Sequence, residues 1–292
     1  MKSKSSQYDI AIGYNSMAND SMTTGYNTCI GGYSGYSLTS GTQNMFFGYE
    51  AGKFTQTGTT NIAIGSLSLR DNVSGGFNLA IGYGAMEHNT VSTNIGIGAY
   101  SLRYNQSGNY NLCLGYSAGY GTSGFNCEKN VFIGANAGKN IKTGGENTAI
   151  GYSTMSAGTI TGYSNTAIGS AAAGNITSAY YNVAIGKFAM LSNQTGWSNT
   201  IIGTFAAQGT SGNSIAYNTI IGYEAAKSIT TGQSNVVIGY QAAKTQITSE
   251  SNKLYIANSD TDKPLIYGEF DNNTVKFHNV CLLYTSDAAD EL

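Results

Sequence analysis

Polar and apolar positions alternate along this chain in a short phrase that returns fourteen times. Each copy has an asparagine, two residues that are usually apolar, a branched or aromatic apolar residue and then a glycine, as in Asn147-Thr148-Ala149-Ile150-Gly151. The anchoring glycines are Gly13, Gly31, Gly48, Gly65, Gly82, Gly98, Gly115, Gly134, Gly151, Gly169, Gly186, Gly203, Gly222 and Gly239. Eight of their thirteen spacings are 17 residues, and the other five run from 16 to 19. A firm period with slips of one or two residues is the mark of stacked units joined by adjustable turns.

Each copy can be read in one register, with its glycine as position 0. Position −1 is Ile, Leu or Phe in all fourteen copies, for example Ile12, Phe47, Leu114 and Ile238. Position −3 is apolar in nine copies and Thr in five. In a strand these two positions share a face, and that face is expected to be the always-buried interior of the coil. Position −2 points the other way and also shuns polar residues, as at Ala11, Cys29, Phe46, Ala149 and Ile201. A strand apolar on both faces is covered on both. The −2 positions are therefore expected to form an outward stripe, too large to leave wet, that is buried against identical neighbours.

Position −4 is asparagine in thirteen copies and Asp9 in the other. Such residues support tight turns and can ladder from coil to coil. Position +3 is small throughout, from Ser16 and Ser34 to Ala225 and Ala242, which predicts a second strand packed closely on the first. Glycines seven before the anchor, such as Gly41, Gly58, Gly144 and Gly232, are expected to close the coil through positive-φ turns. The one proline, Pro264, lies outside the array, where no ladder needs its N–H. The predicted fold is all-β: a parallel β-solenoid of about 14 coils with a 17-residue period. Neighbouring coils ~4.8 Å apart make a rod on the order of 65 Å long.

Composition narrows the function. The 292 residues include 39 Gly and 22 Tyr, but only 10% are charged, so polarity comes from Asn, Ser and Thr. Fourteen basic against 16 acidic residues offer no electrostatic footprint for nucleic acid or an anionic membrane. The longest apolar run, Val280 to Tyr284, is too short to cross a bilayer as a helix, and the first seven residues lack the apolar segment of a signal peptide.

Several apparent motifs dissolve into the repeat. Gly115-Tyr116-Ser117-Ala118-Gly119 spells a hydrolase nucleophile elbow, but the same register holds Glu50 and Asn136 in place of the serine, and His88 and His278 are both remote. Gly48 to Lys53 and Gly134 to Lys139 are one residue short of a phosphate loop and lack its Ser or Thr. Cys29 and Cys113 read as small buried side chains. Cys127 falls in a turn and Cys281 beyond the array, so no zinc or disulfide spacing emerges. Asn258 to Asp262 clusters oxygens without the glycine and glutamate of a calcium loop. No catalytic, cofactor-binding or metal-binding residue is therefore assigned. The candidate ligand-contact row is Tyr14, Tyr49, Tyr83, Tyr116, Tyr152, Tyr223 and Tyr240, each directly after an anchor glycine.

Asn165-Thr166-Ala167-Ile168-Gly169-Ser170-Ala171-Ala172 and Asn182-Val183-Ala184-Ile185-Gly186 resemble the head repeats of YadA-like trimeric autotransporter adhesins, over residues 9 to about 245. The resemblance implies a homotrimer of left-handed parallel β-rolls. Leu254 to Ser259, Pro264 to Phe270 and Val275 to Phe277 alternate as short strands. They are similar to the segment that, in phage tail-fibre-like proteins, precedes an endosialidase-type intramolecular chaperone.

The expected organisation is a lead at 1–8, the array at 9–250, a short β segment of tail-fibre type at 251–280, and a non-native read-through at 281–292, with both ends those of a fragment. The expected function is a structural fibre or adhesin head or shaft on a virion or bacterial cell surface. It would attach to a host glycan or protein receptor, with no enzymatic activity. The alternative is a dedicated receptor- or glycan-binding module that uses the tyrosine row.

Overall fold

In the computed structural model, residues 8–19, 23, 25–122, 126–210 and 212–278 are described. Most of the 1–8 lead and all of the 281–292 read-through lie outside them. Each repeat contributes one three-residue strand, from β1 (Ile10–Ile12) to β14 (Val236–Ile238), and each strand pairs in parallel with the next in strict register. Position −2 of one coil therefore always faces position −2 of its neighbour, as in Phe132↔Ala149 and Ala167↔Ala184. The array is a parallel β-solenoid of about 14 turns, with no helix among the described residues.

The strand faces are reversed from expectation. The −2 side chains are the interior: Cys29, Phe46, Ala63, Phe132 and Ile220 are fully buried. The −1 and −3 side chains face outward, and among them Ile10, Ile12, Ile30, Ile62, Ile64, Ile95, Ile168, Ile202, Ile221 and Ile238 remain 36–57% exposed. Alternation along the three-residue strand puts −1 and −3 on the face opposite −2, so with −2 inside the two flanking residues lie outside.

The far side of the coil also differs from the predicted second strand. Positions +1 to +5 are turns in which residues +2 and +4 both take positive φ, as at Ser117 (51°) and Gly119 (56°). Their amides point in opposite directions along the rod. Ser117 N donates back to Ala99 O (2.9 Å), and Gly119 N donates forward to Ala137 O (2.8 Å). Coils thus remain hydrogen-bonded here without extended backbone, and the small +3 residues pack inside.

The −7 glycines do not have positive φ; the anchor glycines do, at 122–142°. At Gly134 a side chain would be excluded twice, by φ +128° and by the Gly151 carbonyl oxygen 2.5 Å from where its Cβ would lie. Gly58 is required only by space, since its Cβ would meet the Gly75 carbonyl oxygen at 2.5 Å.

The asparagine ladder forms as expected. Asn44 Oδ1 accepts from both the backbone N (3.0 Å) and Nδ2 (3.1 Å) of Asn61, while Asn44 Nδ2 donates to Asn27 Oδ1 (3.1 Å) and to Gly58 O (2.8 Å). The pattern repeats along the buried column and ends on Lys253 N, which donates to Asn235 Oδ1 at 2.9 Å.

Beyond the array the sheet continues. β15 (Lys253–Ile256) pairs in parallel with β14, and β16 (Ile266–Glu269) and β17 (Thr274–Phe277) follow antiparallel. Register carries the interior column on through Val237, Tyr255 and Tyr267, and an outer column through Ile238, Ile256, Ile266 and Phe277.

Interior volume is kept nearly constant by exchange between −2 and +4. Phe46 and Phe132 face Gly52 and Gly138, whose Cβ atoms would come within 2.5 and 2.7 Å of the rings. Where −2 is Gly96, Met86 fills the space, 2.7 Å from a would-be Cβ. Alanine fits the backbone at +4, because Ala173, Ala207, Ala226 and Ala243 occupy it with φ of 43–49°. Phe132→Ala is therefore expected to cost about 3–5 kcal/mol. Gly138→Ala should be destabilising in the wild-type background but close to neutral in the Phe132→Ala background. A double-mutant cycle in denaturant should show coupling of at least about 1 kcal/mol, and additive effects would contradict this packing.

Candidate functional site

The surface chemistry is set by columns, because each position meets its counterpart one coil away. All seven tyrosines of the predicted row are exposed, between 42% and 73%. They do not form one continuous row. Tyr14 and Tyr49 are bridged edge-to-face by Tyr33, with centroids at 5.4 and 6.2 Å, and Tyr83 and Tyr116 by Tyr100, at 5.3 and 6.2 Å. Tyr223 and Tyr240 stack at 5.4 Å and continue edge-to-face to Phe205, which stacks on Phe188. Tyr152 stands between groups, with Ala135 and Ser170 at its position in the adjacent coils.

The bridging residues lie at +2, in coils whose +1 residue is Gly32, Ala99, Lys187 or Thr204. The aromatic group shifts by one residue and keeps its column. That exchange is visible in the sequence once +1 and +2 are read together. In the first two groups the rings meet edge-to-face and in the third mainly face-to-face, so these amphipathic columns can offer both apolar ring surface and tyrosine hydroxyls to a partner.

Among the described residues, two of the charged groups on this mostly neutral surface centre on a buried glutamate. Glu87, buried, accepts from Arg70 Nη1 of the coil before (2.7 Å) and from Arg103 Nη2 of the coil after (2.7 Å). Arg103 also lies over the rings of Tyr100 and Tyr104. Asp71 accepts from Arg70 Nε (2.8 Å) and bonds His88 Nδ1 (2.6 Å). Burial alone would raise the Asp71 pKa, but Arg70 and His88 overcome it and hold the carboxyl below its ordinary value. Nearer the C-terminal end, Glu224 accepts from Lys227 (2.6 Å), Lys244 (2.8 Å) and Gln241 (2.8 Å). The Lys227 hydrogen bond, followed by that of Lys244, lowers its pKa to about 2.

The motif-like residues fall where the repeat needs them. Ser117 is a buried turn residue, while His88 is engaged with Asp71. Lys53 pairs with Glu50 at 2.8 Å, and Asp260 accepts from Thr245. Cys29, Cys113 and Cys127 are buried free thiols, and burial pushes Cys29 up to about 12, which keeps it protonated and unreactive. Among the described residues no cluster of three or more His, Cys, Asp or Glu could hold a metal ion, and no helix is long and apolar enough to cross a membrane. No protein-family model, curated protein or solved structure matches the chain.

The Glu224 group makes a prediction about acid. A carboxyl whose folded pKa lies below its ordinary 4.5 adds stability that is present above 4.5 and is lost as pH falls through about 2. The C-terminal coils should therefore melt at lower temperature at pH 3 than at pH 7. Glu224→Gln should remove much of that difference while costing about 1 kcal/mol at pH 7. An unchanged pH dependence of thermal melting in Glu224→Gln would show that the three bonds contribute nothing.

Proposed function

We propose that the chain is a non-enzymatic structural protein, a homotrimeric fibre, shaft or adhesin head built from left-handed β-rolls. It would project from a virion tail or a bacterial surface and attach to a host. The carrying observation is the outward apolar stripe at −1 and −3. It runs the length of the array and on through Ile256, Ile266 and Phe277, rung by rung in register. A stripe of such length is unusual on a soluble monomer, and parallel sheets are covered on both faces. Identical rods packed about an axis would cover it without further chain.

The role supported by this architecture is mechanical and multivalent. Three rods would repeat every surface feature, so weak contacts to a glycan or protein receptor combine through effective concentration. The exposed aromatic columns are the contact surface we favour. The resemblance of the Asn-x-Ala-Ile-Gly phrase to YadA-like heads, and of residues 254–277 to the segment before an endosialidase-type chaperone, agrees with this assignment.

Light scattering on residues 1–280 tests the assembly. The expected mass is close to three times that of one chain, the full chain being 30.6 kDa. Ile168→Glu combined with Ile202→Glu should lower it to the single-chain value. A wild-type monomer in solution would refute the trimer. Glycan arrays then separate spacer from binding module, because specific binding lost on Tyr223→Ala and Tyr240→Ala would favour the module.

A further inference from the structure

A second aromatic column, six residues before the anchor, ends in a cleft. Tyr163, Tyr180 and Trp197 of three successive coils stack almost coplanar, with interplanar angles of 8° and 6° and centroids 5.4 and 5.8 Å apart. Tyr181 and Tyr217 brace the stack edge-on. Trp197 is the only tryptophan in the chain.

One face of Tyr163 is covered by Tyr180. The other looks toward the preceding coil, where the same position is Gly145 and no side chain continues the stack. A cleft of about 380 Å³ lies there, lined by Tyr163, Gly145, Thr143, Asn126, Glu128 and Glu146. A Cβ on Gly145 would meet nothing closer than the Glu128 carbonyl oxygen at 3.2 Å. Glu146 accepts from Ser164 Oγ at 3.1 Å, and Lys129 lies 3.4 Å from Glu128 and 3.7 Å from Glu146, which holds both carboxylates at the rim.

We propose that this cleft binds one neutral pyranose unit of a glycan, seated on the free face of Tyr163 in the place a side chain at Gly145 would occupy. The C–H face of such a sugar would continue the ring stack, while its hydroxyls donate to Glu128 and Glu146 and exchange hydrogen bonds with Thr143 and Asn126. The two carboxylates disfavour anionic sugars. The site deepens the host-attachment reading and rests on it for its biological role, though not for its chemistry.

The test uses the full chain against methyl pyranosides and a neutral oligosaccharide array, with ligand-observed NMR. Tyr163→Ala and Gly145→Trp should each weaken binding at least about tenfold, and Leu265→Ala, at an exposed residue beyond the array, should leave it unchanged. The column already accommodates Thr42, Thr59 and Trp197, so Gly145→Trp is compatible with the coil, and circular dichroism on each variant verifies folding. Full-strength binding in Gly145→Trp, a preference for sialylated glycans or organic cations, or no neutral sugar bound would each overturn the proposal. Adsorption of labelled chain to cells separates the two readings. Adsorption undiminished by Gly145→Trp, with no sugar bound, sinks the cleft alone, whereas sugar binding without adsorption supports the cleft and sinks attachment.

Discussion

Like meets like: in this rod every residue has its own counterpart as neighbour one strand spacing away, and each column must be a set of side chains that tolerate their own kind. Asparagine satisfies that rule inside. A primary amide carries donors and an acceptor, so Asn61 can give to Asn44 and receive from Asn78 in the same geometry, without an orphaned group. Each group left unpaired there would cost about 1–3 kcal/mol. Charges fail the rule, because equal charges on successive rungs repel. Where they do occur they come in alternation, Arg70, Glu87, Arg103, or with a carboxylate placed between two lysines, as Glu224 stands between Lys227 and Lys244. The low charge content follows from the same constraint, as does the wealth of tyrosine, whose rings pack edge-on or face-on against one another.

The interior obeys a second constraint, constant volume. Identical backbones stacked in register leave each coil the same space, so a large −2 residue demands a small +4 residue. Phe46 with Gly52, Phe132 with Gly138, and Gly96 beside Met86 are three solutions to one volume. The backbone also carries a conformational cost, since positions −5, +2 and +4 take positive φ in residues such as Tyr181, Phe188 and Met190. The amides at +2 and +4 bond the coils on either side, as Phe188 N does to Ser170 O and Met190 N to Ala206 O, which holds these residues where isolated chains would not remain.

The solenoid, its period, the strand in each repeat and the asparagine ladder were all legible in the sequence, because periodicity and hydrogen-bonding capacity depend only on residue type and spacing. Which face looked inward was hard to read from hydrophobicity, because −2 and −1 both avoid polar residues and only the five threonines at −3 hint at the outer side. Size would have decided it. Phe132 opposite Gly138 and Phe46 opposite Gly52 is compensation that only an enclosed column requires, whereas the −1 position holds a large residue in every copy with no compensating partner. Similarly, reading position +1 alone found Tyr83 and Tyr116 but missed Tyr100 between them, and the stack at Tyr163, Tyr180 and Trp197 escaped because it occupies only three coils. A turn stack replaced the predicted second strand because small residues at +3 mark close packing, which turns and strands can both supply.

The corrected orientation sharpens the case for assembly. With −2 outside, the stripe would have been largely alanine and cysteine, with less apolar area to cover. With −1 and −3 outside, it is isoleucine, leucine, valine, methionine and phenylalanine, interrupted by five threonines at −3, and each large apolar side chain is worth roughly 1.5–3 kcal/mol when fully buried. Strand alternation keeps −1 and −3 on the face opposite −2, so with −2 inside these residues lie outside. The trimer we propose would cover the stripe, because it repeats with the coil and another copy of the same repeat matches it along its length. The meander after the array carries one outer column on from Ile238 to Ile256 and Ile266, while the other passes from Val236 to Leu254 and then meets Gly268, although the sequence no longer repeats. Preserving an outer column where the repeat itself has lapsed is what a shared interface would demand and what a solvent-facing sheet would not.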